Sequence, residues 1–208
     1  MRRPGRLGAV GSAGSAALGR VPGMNLNGWA AELAEQHLAG PLPRRWAHSR
    51  GVGRKAESIV DQLGEDGPLL VDAAWLHDIG YAPTVASTGF HPLDGALFLR
   101  DVVGADPRVC SLVAYHSSAA AEAARRGLSE RLSAEFEPVG GLLADALTYC
   151  DMTTSPDGEP VAVERRLAEI LTRYGPDSLI TAAITQARPE ILRAVETVRA
   201  LPRLPQPR

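Results

Sequence analysis

An all-α fold is predicted from three observations. Apolar residues recur at three- and four-residue spacing in most segments after Met24. No segment alternates as a half-buried strand would. No internal repeat or glycine-rich phosphate loop interrupts the helical periods. A chain of 208 residues is long enough for one sizeable core, and 45% hydrophobic with 5% aromatic content builds that core from Ala, Leu, Val and Ile. The formal net charge of -2 supplies no general basic field for nucleic acid, so an anionic partner must be held locally.

Residues 1–22 stand apart. Arg2, Arg3 and Arg6 precede an uncharged run, Leu7 to Gly19, that is broken by glycines and too short to span a bilayer. A disordered tail is expected there, with Met24 as an alternative start, followed by a single helical domain over 24–202 and a frayed Pro-rich end over 203–208. No other stretch reaches membrane-spanning length, and Cys110 and Cys150 match no zinc spacing, so a reduced, cytoplasmic chain is expected.

The first helix is capped by Asn25 or Asn27, runs through Trp29, Leu33 and Leu38, and stops at Gly40-Pro41; His37 near its end reads as a surface or capping residue. Pro43 opens the second, whose stripe is Trp46, Val52, Ile59, Val60 and Leu63, with His48 on the same face and Gly64 at the end. The third, Pro68 to Asp78, is apolar almost throughout and therefore central. A loop from Tyr81 to Phe90 leads to a fourth helix, with His91 just outside its start, Pro92 in the first position and Asp94 facing the positive end of the dipole.

Asp106 or Pro107 begins a fifth helix carrying Val109, Leu112, Val113 and His116. Ser117 to Pro138 has no core stripe of its own and is expected to be an exposed helix or flexible excursion, a candidate lid. Val139 to Tyr149 resumes a buried helix, and Leu143, Leu147 and Asp151 fall at i, i+4 and i+8. After a turn at Pro156-Asp157-Gly158 come two amphipathic helices, Val161 to Tyr174 and Asp177 to Leu201, the second kinked or split at Pro189.

The sequence His77-Asp78 closes the central helix. Alone it reads as a helix end with an imidazole near the negative pole of the dipole. Beside it, however, His48, His91, His116 and Asp151 each lie at the inner end or face of a predicted helix. Unpaired polar groups there would each cost about 1 to 3 kcal/mol, a cost that convergence on a cation removes. Mixed nitrogen and oxygen ligands suit iron or manganese, with zinc or nickel next, better than magnesium or calcium, and six suffice for one or two ions.

The order His48, His77-Asp78, Asp151 resembles the HD superfamily of metal-dependent phosphohydrolases, and His91 and His116 resemble its two-metal branch. The segments Arg45-Trp46-Ala47-His48-Ser49, Leu76-His77-Asp78, His91-Pro92-Leu93-Asp94-Gly95-Ala96, Tyr115-His116 and Cys150-Asp151 are similar to small bacterial diadenosine tetraphosphate hydrolases, over about residues 43 to 155. The resemblance implies an HD-domain bundle with its metal site between central helices. His48, His77, Asp78 and Asp151 would hold one metal; His91 and His116 would hold the second, with Asp78 bridging and orienting a shared water that attacks phosphorus. Many hydrolytic members carry a lysine shortly after the HD pair, where this chain has Ile79-Gly80-Tyr81. Phosphate binding then falls to Arg45, Arg50, Arg54 and Lys55 on the His48 helix.

The expected function is hydrolysis of a phosphate ester or anhydride in a small, nucleotide-like molecule, without nucleic-acid or membrane partners. The same ligands also occur in HD proteins that hold two irons and oxidise an organic or phosphonate substrate with dioxygen, which is the second reading. A non-catalytic metal-dependent binding module is the third and is expected least; its hallmark would be a missing ligand or a fused output domain, and all six ligand residues are present.

Overall fold

The computed structural model describes residues 28–117 and 119–202. The expected tail over 1–22, the cap at Asn25 or Asn27 and the frayed end over 203–208 lie outside them. The described residues form α-helices and short helical turns, with no strand among them; Thr154 and Pro160 make an isolated antiparallel bridge. In order, the helices are α1 (Trp29–Leu38), α2 (Pro43–Ile59), α3 (Gly67–Leu76), α4 (His91–Phe98), α5 (Pro107–Tyr115), α6 (Ala119–Arg126), α7 (Ser129–Glu135), α8 (Gly141–Met152), α9 (Val163–Tyr174) and α10 (Leu179–Arg199).

Helix α3 is central because it is apolar on nearly every side, Asp72 being its one charged residue. Leu70, Ala73, Ala74 and Leu76 are fully buried, and α1, α2, α5 and α8 pack around it. Burial of this kind contributes about 25 cal/mol per Å² of apolar surface, so the surrounding helices are fixed by the core they share. The other helix starts follow local chemistry. Pro43 and Pro107 occupy first-turn positions, and the Asp106 side chain caps α5 by accepting from the Arg108 amide at 2.7 Å. A second apolar cluster, with Met152, Leu167, Ile170, Ile184 and Ile191 among its members, ties the end of α8 to α9 and α10. It lays α9 beside the inner end of α8.

Four expectations are corrected. Helix α2 ends at Ile59, and a 3-10 turn over Val60–Asp66 carries the chain past Gly64. His91 is the first residue of α4, not outside it, and Pro92 follows. Of the two outcomes expected at Pro189, the split does not occur: α10 runs unbroken from Leu179 to Arg199. The Ser117 to Pro138 segment is largely exposed and helical but not without a core face: α6 buries Ala119 and Ala123, α7 buries Leu132, Phe136 is buried just after it, and α6 packs on α10. The buried face of α6 is two alanines of an eight-residue helix whose sequence has alanine on other faces as well.

Candidate metal centre

Helices α2, α3, α4, α5 and α8 point their inner ends at one place. His48 comes from α2, His77 and Asp78 from the end of α3, His91 from the start of α4, His116 from the end of α5 and Asp151 from α8. Helix α3 stops at Leu76, and Asp78 leaves helical geometry at φ -101° and ψ 6°, which lets consecutive residues reach the same space. Three imidazoles are oriented from behind. Nδ1 of His48 donates to the Ser155 carbonyl at 3.0 Å, that of His77 to Ala74 at 2.8 Å and that of His116 to Val113 at 2.6 Å. Each neutral ring therefore turns an unprotonated Nε2 inward.

The inward atoms form two groups, His48, His77 and Asp151 on one side and Asp78, His91 and His116 on the other, with the atoms of each group within 4.8 Å of one another. Asp78 stands between them. Its Oδ2 lies 3.3 Å from His77 Nε2 and 3.9 Å from His48 Nε2, while its Oδ1 lies 3.4 Å from His91 Nε2 and 4.0 Å from His116 Nε2. His48 Nε2 faces Asp151 Oδ1 at 2.9 Å, and the Nε2 atoms of His91 and His116 are 3.2 Å apart.

A cavity of about 80 Å³ opens on Asp78, His91, His116 and Asp151, and a neighbouring one of about 320 Å³ reaches His48. Both are also lined by Arg45, Arg166 and Arg173. The HD domain family model matches residues 45–153, just over half of the chain and inclusive of all six converging residues. The chain belongs to the HD domain family. No curated protein and no solved structure matches it.

The donor chemistry of this HD domain fits divalent cations. With Nδ1–H of His48 spent on Ser155, a neutral His48 sets a lone pair against a carboxylate oxygen at 2.9 Å, a repulsion that only a proton or a cation relieves. His77 Nε2 is buried with no hydrogen-bond partner among the described residues. The charges agree. Burial opposes ionisation of Asp78, yet Arg45 and His77 hold its carboxyl well below the ordinary range. Asp151 is likewise depressed, against burial, by His48 and His77. Burial acts against the His77 cation, but Asp78 and Asp151 raise its pKa. His91 and His116 move the other way, lowered by burial and by each other's or His77's charge. Two ionised carboxylates with inward lone pairs are the hard and borderline donor set that divalent transition ions take.

Of the four cations expected to serve phosphate, one is at the centre. Arg45 Nη1 donates to Asp78 Oδ2 at 2.6 Å, and its guanidinium lies 4.0 Å from the centroid of Tyr81, which in turn stacks on His91 with centroids 3.9 Å apart. Arg50, Arg54 and Lys55 are not there; they line a separate hollow with Gly158 and Glu159. Arg50 and Arg54 are exposed, one turn apart on the solvent side of α2, and Lys55 Nζ is bonded to the carbonyl and hydroxyl of Thr153. His37 also lies apart, bonded to Thr84 and edge-on to Phe98.

Sequence reasoning missed Arg166 and Arg173 on α9, Glu122 on α6 and Ser117. Arg166 was detectable, because it falls on the stripe Val163, Leu167, Ile170 where an apolar residue is expected. Ser117, directly after His116, is the one non-glycine described residue with positive φ, at 39°, and its buried Oγ has no partner among the described residues. Strained backbone of this kind gathers at functional sites. The Asp94 carboxylate, expected to complement the α4 dipole, also accepts from the amides and hydroxyls of Ser87 and Thr88, pinning the loop that precedes His91. No described helix is long and apolar enough to cross a membrane.

Proposed function

We propose that this HD domain hydrolyses a phosphate ester or anhydride in a small nucleotide-like molecule. The observation that carries the reading is the pair of ligand groups with Asp78 between them, set beside a cavity lined by arginines. His48, His77 and Asp151 would hold one ion and His91 and His116 a second, with Asp78 common to both. Bound divalent ions supply Lewis acidity to phosphoryl oxygens and a water acidified toward neutral pH.

The chain's own residues do the remainder. Asp78 accepts a hydrogen bond from the attacking water and keeps its oxygen directed at phosphorus. Water oxygen forms the new bond to phosphorus as the bond to the leaving oxygen breaks. Arg45, held against Asp78 and the Tyr81 ring, is placed to pair with charge that builds on the phosphoryl oxygens. It takes the place of the lysine that follows the HD pair in many hydrolytic relatives. The Ser117 hydroxyl, on a residue of positive φ and without a partner among the described residues, is a donor for the same oxygens.

The finer likeness to diadenosine tetraphosphate hydrolases makes dinucleoside polyphosphates the first substrates to try, followed by nucleotides and phosphomonoesters. The test combines metal analysis of protein purified without added metal with a phosphate-release screen. Retained transition metal with release that Asp78→Ala abolishes is the expected result. Iron with dioxygen uptake and no release would replace the reading with the oxygenase. Unchanged metal content and activity in Asp78→Ala would end it.

A further inference from the structure

Four buried side-chain polar atoms lack a hydrogen-bond partner among the described residues: Ser49 Oγ, His77 Nε2, Ser117 Oγ and Arg166 Nε. Three of the four residues that carry them belong to the candidate centre or line the cavity beside it. His77 is accounted for by the ligand set and Ser117 by the reacting phosphoryl group. Arg166 has no such explanation.

Arg166 is only 5% exposed. Its Nη1 donates to Glu169 Oε2 at 2.5 Å, while Arg173 Nη2 donates to the same oxygen at 2.7 Å. One carboxylate thus serves two guanidiniums, and the three side chains keep a net positive charge. With Arg45 from α2, both arginines line the cavity at the ligand set and the larger cavity next to it. The cationic wall therefore continues past the ligand set. A lone phosphate seated on the ligands and Arg45 leaves that further charge unused, and a buried guanidinium N–H is costly unless an anion completes it. Guanidiniums suit phosphate because their planar donors match two of its oxygens at once. Helix α9 lies beyond residues 45–153, so this wall is not part of what matches the HD family.

We propose that Arg166 and Arg173 form a second anion subsite, and that the protein selects substrates in which two phosphoryl groups are joined, a diphosphate unit, over phosphomonoesters. The inference rests on the phosphohydrolase reading for the first phosphoryl group. The reacting group sits at the ligand set with Arg45, and its neighbour sits against α9. Tyr174, Ile170 and Ile184, which line the same cavity, offer an apolar wall to what the second phosphate carries.

The test is calorimetric titration of the metal-loaded full chain with methylenediphosphonate and with methylphosphonate, neither of which is turned over. The parent is expected to prefer the diphosphonate by about tenfold or more, the effect of one charge-assisted hydrogen-bond pair. Arg173→Gln, at a partly exposed position, should remove most of that preference and leave methylphosphonate binding within about twofold. Arg166→Lys keeps the buried charge while losing the planar fork and should weaken the diphosphonate alone; thermal unfolding confirms that each variant is folded. Equal affinity of the parent for both probes, or equal weakening of both probes in the two variants, overturns the subsite. Chelation separates this outcome from failure of the hydrolase reading: methylphosphonate binding that survives metal removal contradicts the reading of the ligand set, whereas only the arginine variants bear on the subsite.

Discussion

In the group formed by His48, His77 and Asp151, all three side chains are buried and both rings are tied to backbone carbonyls. In the group formed by Asp78, His91 and His116, the His91 side chain is 14% exposed, lines the cavity, and rests on the face of Tyr81 with no hydrogen bond from its Nδ1 among the described residues. The first group is assembled by the same packing that makes the core. The second is held on one side by a stacked pair of rings and faces the space where a substrate would enter. Both groups border the cavities, but the first is fixed by folding throughout, whereas in the second His116 is tied to the Val113 carbonyl and His91 rests on stacking.

The largest expected effect comes from breaking the fixed half. His77→Ala removes the ring that stands closest to Asp78 and should strip the protein of all transition metal that survives dialysis, with loss of phosphate release. His91→Ala should be milder, leaving the metal of the first group in place and removing only the second equivalent. Elemental analysis of the two variants decides this, and equal losses would mean that the halves do not load independently.

Two glycines sharpen the same contrast. A methyl group at Gly80 would run into the carbonyl of His91, and one at Gly51 would run into the carbonyl of Gly158. Gly80 therefore sets the start of α4 in the second half. Gly51 seats the turn that carries Ser155, whose carbonyl orients His48 in the first. Gly80→Ala and Gly51→Ala should each cost about 1 to 3 kcal/mol in urea unfolding, the range for overpacking. Gly80→Ala should weaken the second equivalent of metal, and Gly51→Ala the first, in a competition titration with a chromophoric chelator.

The same contrast decided what could be seen in the sequence. The all-α class was legible in the helical periods, and the six converging residues in their order along the chain, each at the inner end or on the inner face of a helix; taken singly, each also reads as a cap or a core polar residue. What could not be seen was which cations reach the cavity. Arg50, Arg54 and Lys55 are near His48 along the chain, but Arg50 and Arg54 project to solvent from the opposite side of α2 and Lys55 turns to Thr153. Arg166 and Arg173 are more than a hundred residues from His48 and meet it only through the packing of α8, α9 and α10. The α6 face was missed for a different reason, since the buried Ala119 and Ala123 stand among Ala120, Ala121 and Ala124, which are not buried.

The smallest effect separates the halves by the sign of their pH dependence in chelator-treated protein. Burial opposes the charge on His77, but Asp78 and Asp151 raise its pKa above the unfolded value of 6.5. The native state then binds the extra proton first, so the contribution of His77 is fully present below pH 6.5 and is lost as pH rises through the native pKa. His91 is the reverse: burial, with His116 and Arg45, holds it well below 6.5 despite Asp78. Its unfolded form takes up the proton first, so stability is lost as pH falls below 6.5. Over a descent from about pH 8.5 to about pH 5.5, a window that spans the unfolded value of 6.5, His91→Gln should lose less unfolding free energy than the parent and His77→Gln should lose more. Urea unfolding of the metal-free proteins measures both slopes. Slopes of the same sign would mean that Asp78 acts equally on the two groups, and the distinction between a fixed half and an open half would then rest on packing alone.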